Sequence, residues 1–226
     1  MSEDVSERVE NFMHIKRFTS GVCLANTYIL SKEGSDNAYM FDSCGNTELI
    51  FKYLDKNNLR LKGIFLTHGH FDHIAYLEEM KEKTGAPVYI YESEDAFLSN
   101  PHLNLSDLDG ADEDPTGEMF KLKNADIKLK DGEIIKTDDF DIRVIHTPGH
   151  TSGSVCYLAE NALFSGDTLF KNSVGRADFP TGNADEEIKS IKEKLMTLNG
   201  DIKVYPGHGF STTIEEERKE NPYLAY

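Results

Sequence analysis

Short runs of β-branched and aromatic residues, parted by Gly, Pro, Asn and Asp, recur along the whole chain. Runs at 23–30, 38–42, 63–67, 88–91, 141–146, 155–159, 162–165 and 202–205 predict strands. Apolar residues at helical spacing predict helices over 47–57, over 74–83 ahead of Gly85, over 185–198 ahead of Gly200, and over 212–220, where Thr212 and Glu215 have the spacing of a capping box. Helices recur between strands without strict alternation, which predicts an α/β layering of sheets and helices. No internal repeat is visible. One segment breaks the pattern: residues 99–118, SNPHLNLSDLDGADEDPTGE, are polar, acidic and rich in Pro and Gly. Connections longer than about 12–15 residues are functional lids or disordered excursions. A lid over a site is the expectation, with a variable surface excursion as the alternative.

Length and charge narrow the picture. A chain of 226 residues and 25.5 kDa holds one large domain with a substantial core. With 24 Lys+Arg against 40 Asp+Glu the formal charge is -16. Phosphate-backbone binding needs clustered Lys and Arg; the nearest window, 121–130, interleaves lysines with Asp126 and apolar residues. No nucleic-acid partner and no anionic membrane surface is therefore expected. No stretch approaches the roughly 20 apolar residues of a membrane-spanning helix, and the opening MSEDVSERVE is acidic where a signal peptide is basic and then apolar, so a cytoplasmic location is expected. Cys23, Cys44 and Cys156 are odd in number and far apart, which predicts buried free thiols rather than a disulfide framework or a zinc ribbon. The charge runs 78–83 and 215–220 lie on predicted helices and read as solvated faces.

The chemistry concentrates in Thr67-His68-Gly69-His70-Phe71-Asp72-His73, directly after an apolar strand. On extended backbone alternate residues point the same way, so His68 and His70 can present imidazoles to one ion; the chain then turns, and Asp72 and His73 can face a neighbouring point. Alone, such a segment could be a solvated turn or an adventitious metal binder. Three further motifs argue otherwise: His150 in TPGHT, Asp167 in SGDTLF and His208 in PGHG each follow a strand and are flanked by Gly or Pro. In a layered α/β domain, residues at strand ends converge on one edge, where sites are usually found. His14 and His102 read as surface residues. His146 reads as structural, with a hydrogen bond to a ligand residue as its possible role.

The ordered set THGHFDH, TPGHT, SGDTLF and PGHG resembles the metallo-β-lactamase fold superfamily and, within it, the compact bacterial branch of glyoxalase II-like (hydroxyacylglutathione hydrolase-like) enzymes, from about residue 23 to the end. Asn26-Thr27-Tyr28 on the first predicted strand, SVGRADF at 173–179 and Asn221-Pro222-Tyr223-Leu224 resemble that branch more than the β-lactam hydrolases. The resemblance implies an αββα four-layer sandwich: one domain over residues 1–226, with its core at about 14–210 and a short C-terminal helix. It implies that His68, His70 and His150 hold one metal ion, that Asp72, His73 and His208 hold a second, and that Asp167 bridges them. Two divalent ions about 3.5–4 Å apart hold a hydroxide and polarise the carbonyl it attacks. Asp72 would be the catalytic carboxylate that orients this hydroxide. No Gly-x-Ser-x-Gly elbow and no cysteine in a ligand motif offers a separate nucleophile. Zinc is the expected metal, and the same imidazole and carboxylate donors suit iron or manganese.

The implied activity is hydrolysis of a small thioester, possessed as a family trait by the glyoxalase II enzymes, which cleave glutathione thioesters. Larger members carry a helical C-terminal extension that helps bind glutathione; 18 residues follow His208 here, too few for most of it, which leaves 99–118 as the expected lid. Asn104, Phe170 and Arg176 are expected to border the substrate pocket. Arg176 would supply the cation for an anionic thiol carrier, or else an internal salt bridge. Two other readings compete: a mononuclear iron persulfide dioxygenase, whose Gly-Arg-x-Asp-Phe segment resembles Gly175 to Phe179, and a metal-binding module without catalysis. The oligomeric state is not legible.

Overall fold

The computed structural model describes residues 6–9, 13–21, 23–107 and 121–225. Its first sheet contains β1 (Ser6–Val9), β2 (Met13–Ser20), β3 (Ala25–Lys32), β4 (Asn37–Phe41), β5 (Arg60–Phe65), β6 (Val88–Tyr91) and β7 (Ile127–Leu129), in chain order. β1 to β4 run antiparallel to their neighbours, and β4 to β7 run parallel. The second sheet has the order β15-β14-β11-β10-β9-β8, from β8 (Ile134–Lys136), β9 (Asp141–His146), β10 (Val155–Ala159), β11 (Ala162–Gly166), β14 (Lys203–Pro206) and β15 (Thr212–Thr213). β12 (Leu169–Phe170) and β13 (Ser173–Val174) form a small hairpin. Helices α1 (Thr47–Lys56), α2 (Phe71–Ile74) and α3 (Leu77–Thr84) belong to the first half, and α4 (Ala184–Ser190) and α5 (Ile214–Glu220) to the second.

Strand alternation explains the layers. Tyr28, Leu30, Tyr39 and Phe41 point to one face of the first sheet and meet Val144, Tyr157 and Phe164 of the second. The opposite face, with Ile29, Met40 and Ile64, packs on Ile50 and Leu54 of α1 and on Leu77 and Met80 of α3. Ile145, Cys156, Leu163 and Val204 pack outward against Ile191, Leu195 and Ile214. This is the αββα four-layer sandwich. Phe41 and Phe164 stack between the sheets at 3.7 Å and 8°. Phe164→Ala is expected to cost about 3–5 kcal/mol of stability, as cavity-forming aromatic truncations do; denaturant unfolding checks it. Among the described residues no helix is long and apolar enough to cross a membrane.

Several sequence expectations need correction. Two strands precede the one expected to be first. β2 escapes a period-two reading because Lys16 is buried, its ammonium 5.6 Å from the Phe18 ring and 6.0 Å from that of Tyr53. This also places His14 inside a strand. The helix expected at 74–83 is two helices, because Ser43 takes over the backbone bonds at their junction: Ser43 N donates to His73 O at 2.8 Å and Tyr76 N to Ser43 O at 3.1 Å. The helix expected at 185–198 starts at Ala184, where the Asn183 side chain caps it, and passes into a π turn at Ile191–Leu195. The last helix is capped by Thr213 with Glu216, one residue later than the expected pair; the Thr212 hydroxyl instead donates to the side chains of Glu216 and Glu217. Cys23 is exposed, while Cys44 and Cys156 are buried free thiols. Of the expected lid, 108–118 lie outside the described residues; the start is a 3₁₀ helix, Glu92–Ser99, followed by turns to Asp107.

Candidate metal centre

Every candidate ligand lies past the C-terminal end of a strand, or on the short helix that follows one. The chain leaves β5 through His68 and His70 and enters α2 with Asp72 and His73; His150 follows β9, Asp167 follows β11 and His208 follows β14. Because β4 runs parallel to β5, and β11 to β14, these exits share one edge. Cross-sheet hydrogen bonds fasten that edge. Asn26 N donates to Gly207 O at 2.7 Å, the Tyr28 hydroxyl to Pro206 O at 2.8 Å, and the Tyr157 hydroxyl to Leu66 O at 2.8 Å.

The structure brings all seven residues together. Ligand atoms of His68, His70 and His150 lie within 4.8 Å of one another, as do those of Asp72, His73 and His208, and those of His68, His73 and Asp167. Asp167 is central: its carboxylate is 3.3 Å from His73 Nε2, 3.4 Å from His208 Nε2 and 3.7 Å from His150 Nε2. Asp72 Oδ2 is 3.3 Å from His208 Nε2.

Hydrogen bonds behind the rings fix which nitrogens face inward. His150 Nδ1 donates to Arg176 O at 2.7 Å, His208 Nδ1 to Cys23 O at 3.0 Å, and His73 Nδ1 to Asp42 Oδ2 at 2.9 Å. The Thr67 hydroxyl donates to Asp42 and so accepts from His68 Nδ1, 3.1 Å away. In these four rings Nδ1 is engaged outward, and Nε2 is the nitrogen that faces the cluster. His70 Nδ1 meets His150 Nε2 at 2.9 Å, and His73 Nε2 meets His208 Nε2 at 3.4 Å. His68 Nε2, His70 Nε2 and Asp167 Oδ1 are buried with no hydrogen-bond partner among the described residues. Buried donor atoms without partners are costly, and imidazole and carboxylate atoms gathered this closely are the ligands that divalent metals take, so the donor set fits divalent metal.

Electrostatics divide the cluster. Burial pushes His68 well below the usual imidazole range and His70 down to about 3. For His73 and His208 burial acts the same way but is outweighed: Asp167, Asp72 and Asp42 hold His73 well above its ordinary value, and hydrogen bonds to Asp167 and Asp72 push His208 up to about 10. Burial therefore favours the neutral ring at His68 and His70, while the neighbouring carboxylates favour the protonated ring at His73 and His208. Metal uptake at Asp72, His73 and His208 is expected to release protons and to weaken as pH falls, because protons occupy those nitrogens below their raised values. Calorimetric titration in buffers of different ionisation enthalpy counts the protons.

Asp42 is a residue that the sequence reading placed only as the end of a strand. It has left-handed backbone at φ 56°, and its carboxylate takes Thr67 N at 2.8 Å as well as His73. Its only sequence signal is an acid at the end of the strand beside the His-bearing one. Asp42→Asn is expected to weaken metal binding at the His73 set by about 10–100-fold, the usual effect of losing a ligand's orienting partner; chelator competition measures it. Glu187 is also buried; it accepts from His150 N at 2.6 Å, and burial pushes its carboxyl up to about 8.

The three expected substrate residues fall differently. The Phe170 ring is 6.1 Å from the His208 ring, on the open side of the cluster. Arg176 makes a bidentate bond to Asp178 and lies 4.1 Å over Phe179, whose ring is 5.7 Å from that of His70; only its carbonyl touches a candidate ligand. Asn104 is buried, with its side chain bonded to Phe97 O and Ser106 N. His102 faces Asp107 at 3.4 Å. His146 stacks on Tyr91 and bonds Ser152 O, within the His150 loop.

A four-layer αββα sandwich with a His- and Asp-rich edge that suits divalent metal defines the class of protein. The family profile described as "Metallo-beta-lactamase superfamily" matches residues 20–208, and the chain belongs to that superfamily. Among curated relatives, "Hydroxyacylglutathione hydrolase GloC" of Haemophilus influenzae is 35% identical over 196 residues, 83% of this chain and 87% of its own. "Probable metallo-hydrolase YqgX" of Bacillus subtilis is 36% identical over 215 residues, 94% of this chain and 98% of its own. Among solved structures, BLEG-1, titled a B3 metallo-beta-lactamase, superposes with a TM-score of 0.86 at 35% identity, covering 94% of this chain and 100% of its own. ETHE1 from Myxococcus xanthus gives 0.73 at 27% identity, covering 92% and 83%. TTHA1623 in a di-iron-bound form gives 0.77 at 28% identity, covering 92% and 99%.

Proposed function

We propose that this metallo-hydrolase of the superfamily binds two divalent ions, with zinc as the physiological metal, and hydrolyses a small thioester in the manner of hydroxyacylglutathione hydrolases. The observation that carries the reading is the convergence of ligand atoms on one edge, above all the buried, unpartnered Nε2 atoms of His68 and His70 beside His150. The similarity to GloC, over 83% of this chain and 87% of its own, supports the choice of substrate. His68, His70 and His150 would hold one ion, and Asp72, His73 and His208 the other, with Asp167 between them. When bound, such a pair supplies an activated water and a Lewis acid for the carbonyl.

The chain's own residues do the rest. His208, Asp72 and Asp167 have side chains 28%, 17% and 12% exposed, whereas His68, His70 and His73 are sealed, so substrate reaches the cluster from the His208 side. Phe170 lines that approach and would pack on the thioester's apolar part. Asp72, the solvent-facing carboxylate, would orient the attacking water and accept its proton. Arg176, if its bond to Asp178 yields, would supply a cation for an anionic thiol carrier.

The test is purified protein assayed for metal content and for S-lactoylglutathione hydrolysis, with a chromogenic cephalosporin as the competing substrate because of the likeness to BLEG-1. Two metal ions per chain and thioester cleavage are expected. A second reading, the mononuclear iron persulfide dioxygenase, draws on the Gly175 to Phe179 turn, whose Arg176 carbonyl holds His150. One iron per chain, oxygen uptake with persulfide and no thioester cleavage would establish it and overturn the hydrolase.

A further inference from the structure

Glu94 belongs to no predicted motif, yet it joins the two loops that carry the first three histidines. It lies in the 3₁₀ helix Glu92–Ser99 and is fully buried. Its Oε2 accepts from Gly69 N, between His68 and His70, at 2.9 Å. Its Oε1 accepts from Gly153 N, three residues past His150, at 3.0 Å, and the Thr151 hydroxyl also bonds the carboxylate. Those loops follow β5 and β9, which belong to different sheets. A single carboxylate thus spans the seam at the edge where the cluster forms.

The packing leaves no slack. A Cβ on Gly69 would meet the Phe97 Cβ, and one on Gly153 would meet Ser93 Oγ and, at 2.7 Å, Glu94 Cγ. The same segment continues to Asn104, whose carbonyl accepts from Phe71 N at 2.8 Å. His70 is therefore flanked on both sides by amides bonded to residues 92–104. Both Glu94 oxygens are engaged by backbone donors, so its effect on a metal passes through the loops.

We propose that Glu94 is a positioning residue that fixes the separation of His70 from His150, and thereby the coordination geometry at His68, His70 and His150. The inference rests on the reading that these three hold a metal ion. Glu94→Gln keeps the volume but sets an NH₂ against one of the two backbone N–H groups, so that one loop is released. Glu94→Asp, one methylene shorter, can reach only one loop.

The experiment loads wild type, E94Q and E94D with cobalt(II) and follows the visible spectrum and stepwise removal by a chelator. In both variants the ion at the three histidines is expected to bind about 10–100-fold more weakly, with an altered visible band, while the ion at Asp72, His73 and His208 keeps its wild-type affinity. A lowered melting temperature with unchanged spectrum and affinity would make Glu94 a fold staple and overturn the proposal, as would equal weakening of both ions. Wild-type protein supplies an arm free of folding defects. Hydrogen exchange should find the Gly69 and Gly153 amides protected, and a freely exchanging Gly153 would overturn the proposal. Wild type that takes up no cobalt overturns the metal reading itself, whereas wild type and variants that bind alike overturn only the role of Glu94.

Discussion

Asp167→Ala is expected to lower thioester turnover by at least about 10³-fold and to leave no more than one metal ion per chain. Among the described residues its carboxylate is the only one that approaches His73, His150 and His208 together, at 3.3–3.7 Å. Its removal would deprive both proposed ion positions of a ligand and leave a cluster of imidazoles without its central carboxylate. A pair of ions contributes several kcal/mol of transition-state stabilisation, and each 1.4 kcal/mol is about tenfold in rate, which sets the scale. Steady-state kinetics with elemental analysis of the same preparation checks it. Turnover within about tenfold of wild type, with both ions retained, would show that Asp167 does not bridge.

Gly207→Ala ranks second and acts through space alone. A Cβ there would meet Asp167 Oδ1 and, at 2.7 Å, His73 Cε1. Neither neighbour can retreat: Asp42 holds His73 from behind, and Asp167 follows directly on Gly166, which bonds Gly207 through its carbonyl at 2.8 Å. The added methyl should displace the donors by a fraction of an ångström to an ångström. Misplacement on that scale costs about 10²-fold in rate. Overpacking should cost a further 1–3 kcal/mol or so of stability. Kinetics beside a thermal melt of the metal-free protein separates the two effects; full activity would mean that the Gly207 turn has slack.

These two variants illustrate what the sequence made legible. The seven candidate ligands were readable because four fall within six residues after one apolar strand and His150, Asp167 and His208 each follow another beside Gly or Pro, a pattern that depends on strand ends sharing an edge. The αββα layering followed from the same runs through the family resemblance. Residues acting on the ligands from behind were not readable. Asp42 needs the parallel β4–β5 pairing to reach His73, and Glu94 needs the second sheet to fold over the first before it meets Gly153. β2 stayed hidden because Lys16 buries its stem yet counts as polar in any one-dimensional pattern. Arg176 was readable as a cation for substrate or as half of an internal salt bridge; in the fold it pairs with Asp178, and its carbonyl, which no side-chain pattern reveals, bonds His150.

The acidity of the chain takes on a local meaning at the metal edge. Asp42, Asp72 and Asp167 all face His73, so the cluster draws cations while the formal charge of -16 keeps the surface acidic. Loading that cluster is the step on which the proposed function depends. The most direct measurement is turnover of S-lactoylglutathione against equivalents of zinc added to metal-free protein. Activity is expected to rise until two equivalents are bound and then level, with the loss of either ion abolishing it. Full activity at one equivalent, or thioester cleavage without metal, would contradict the two-ion proposal.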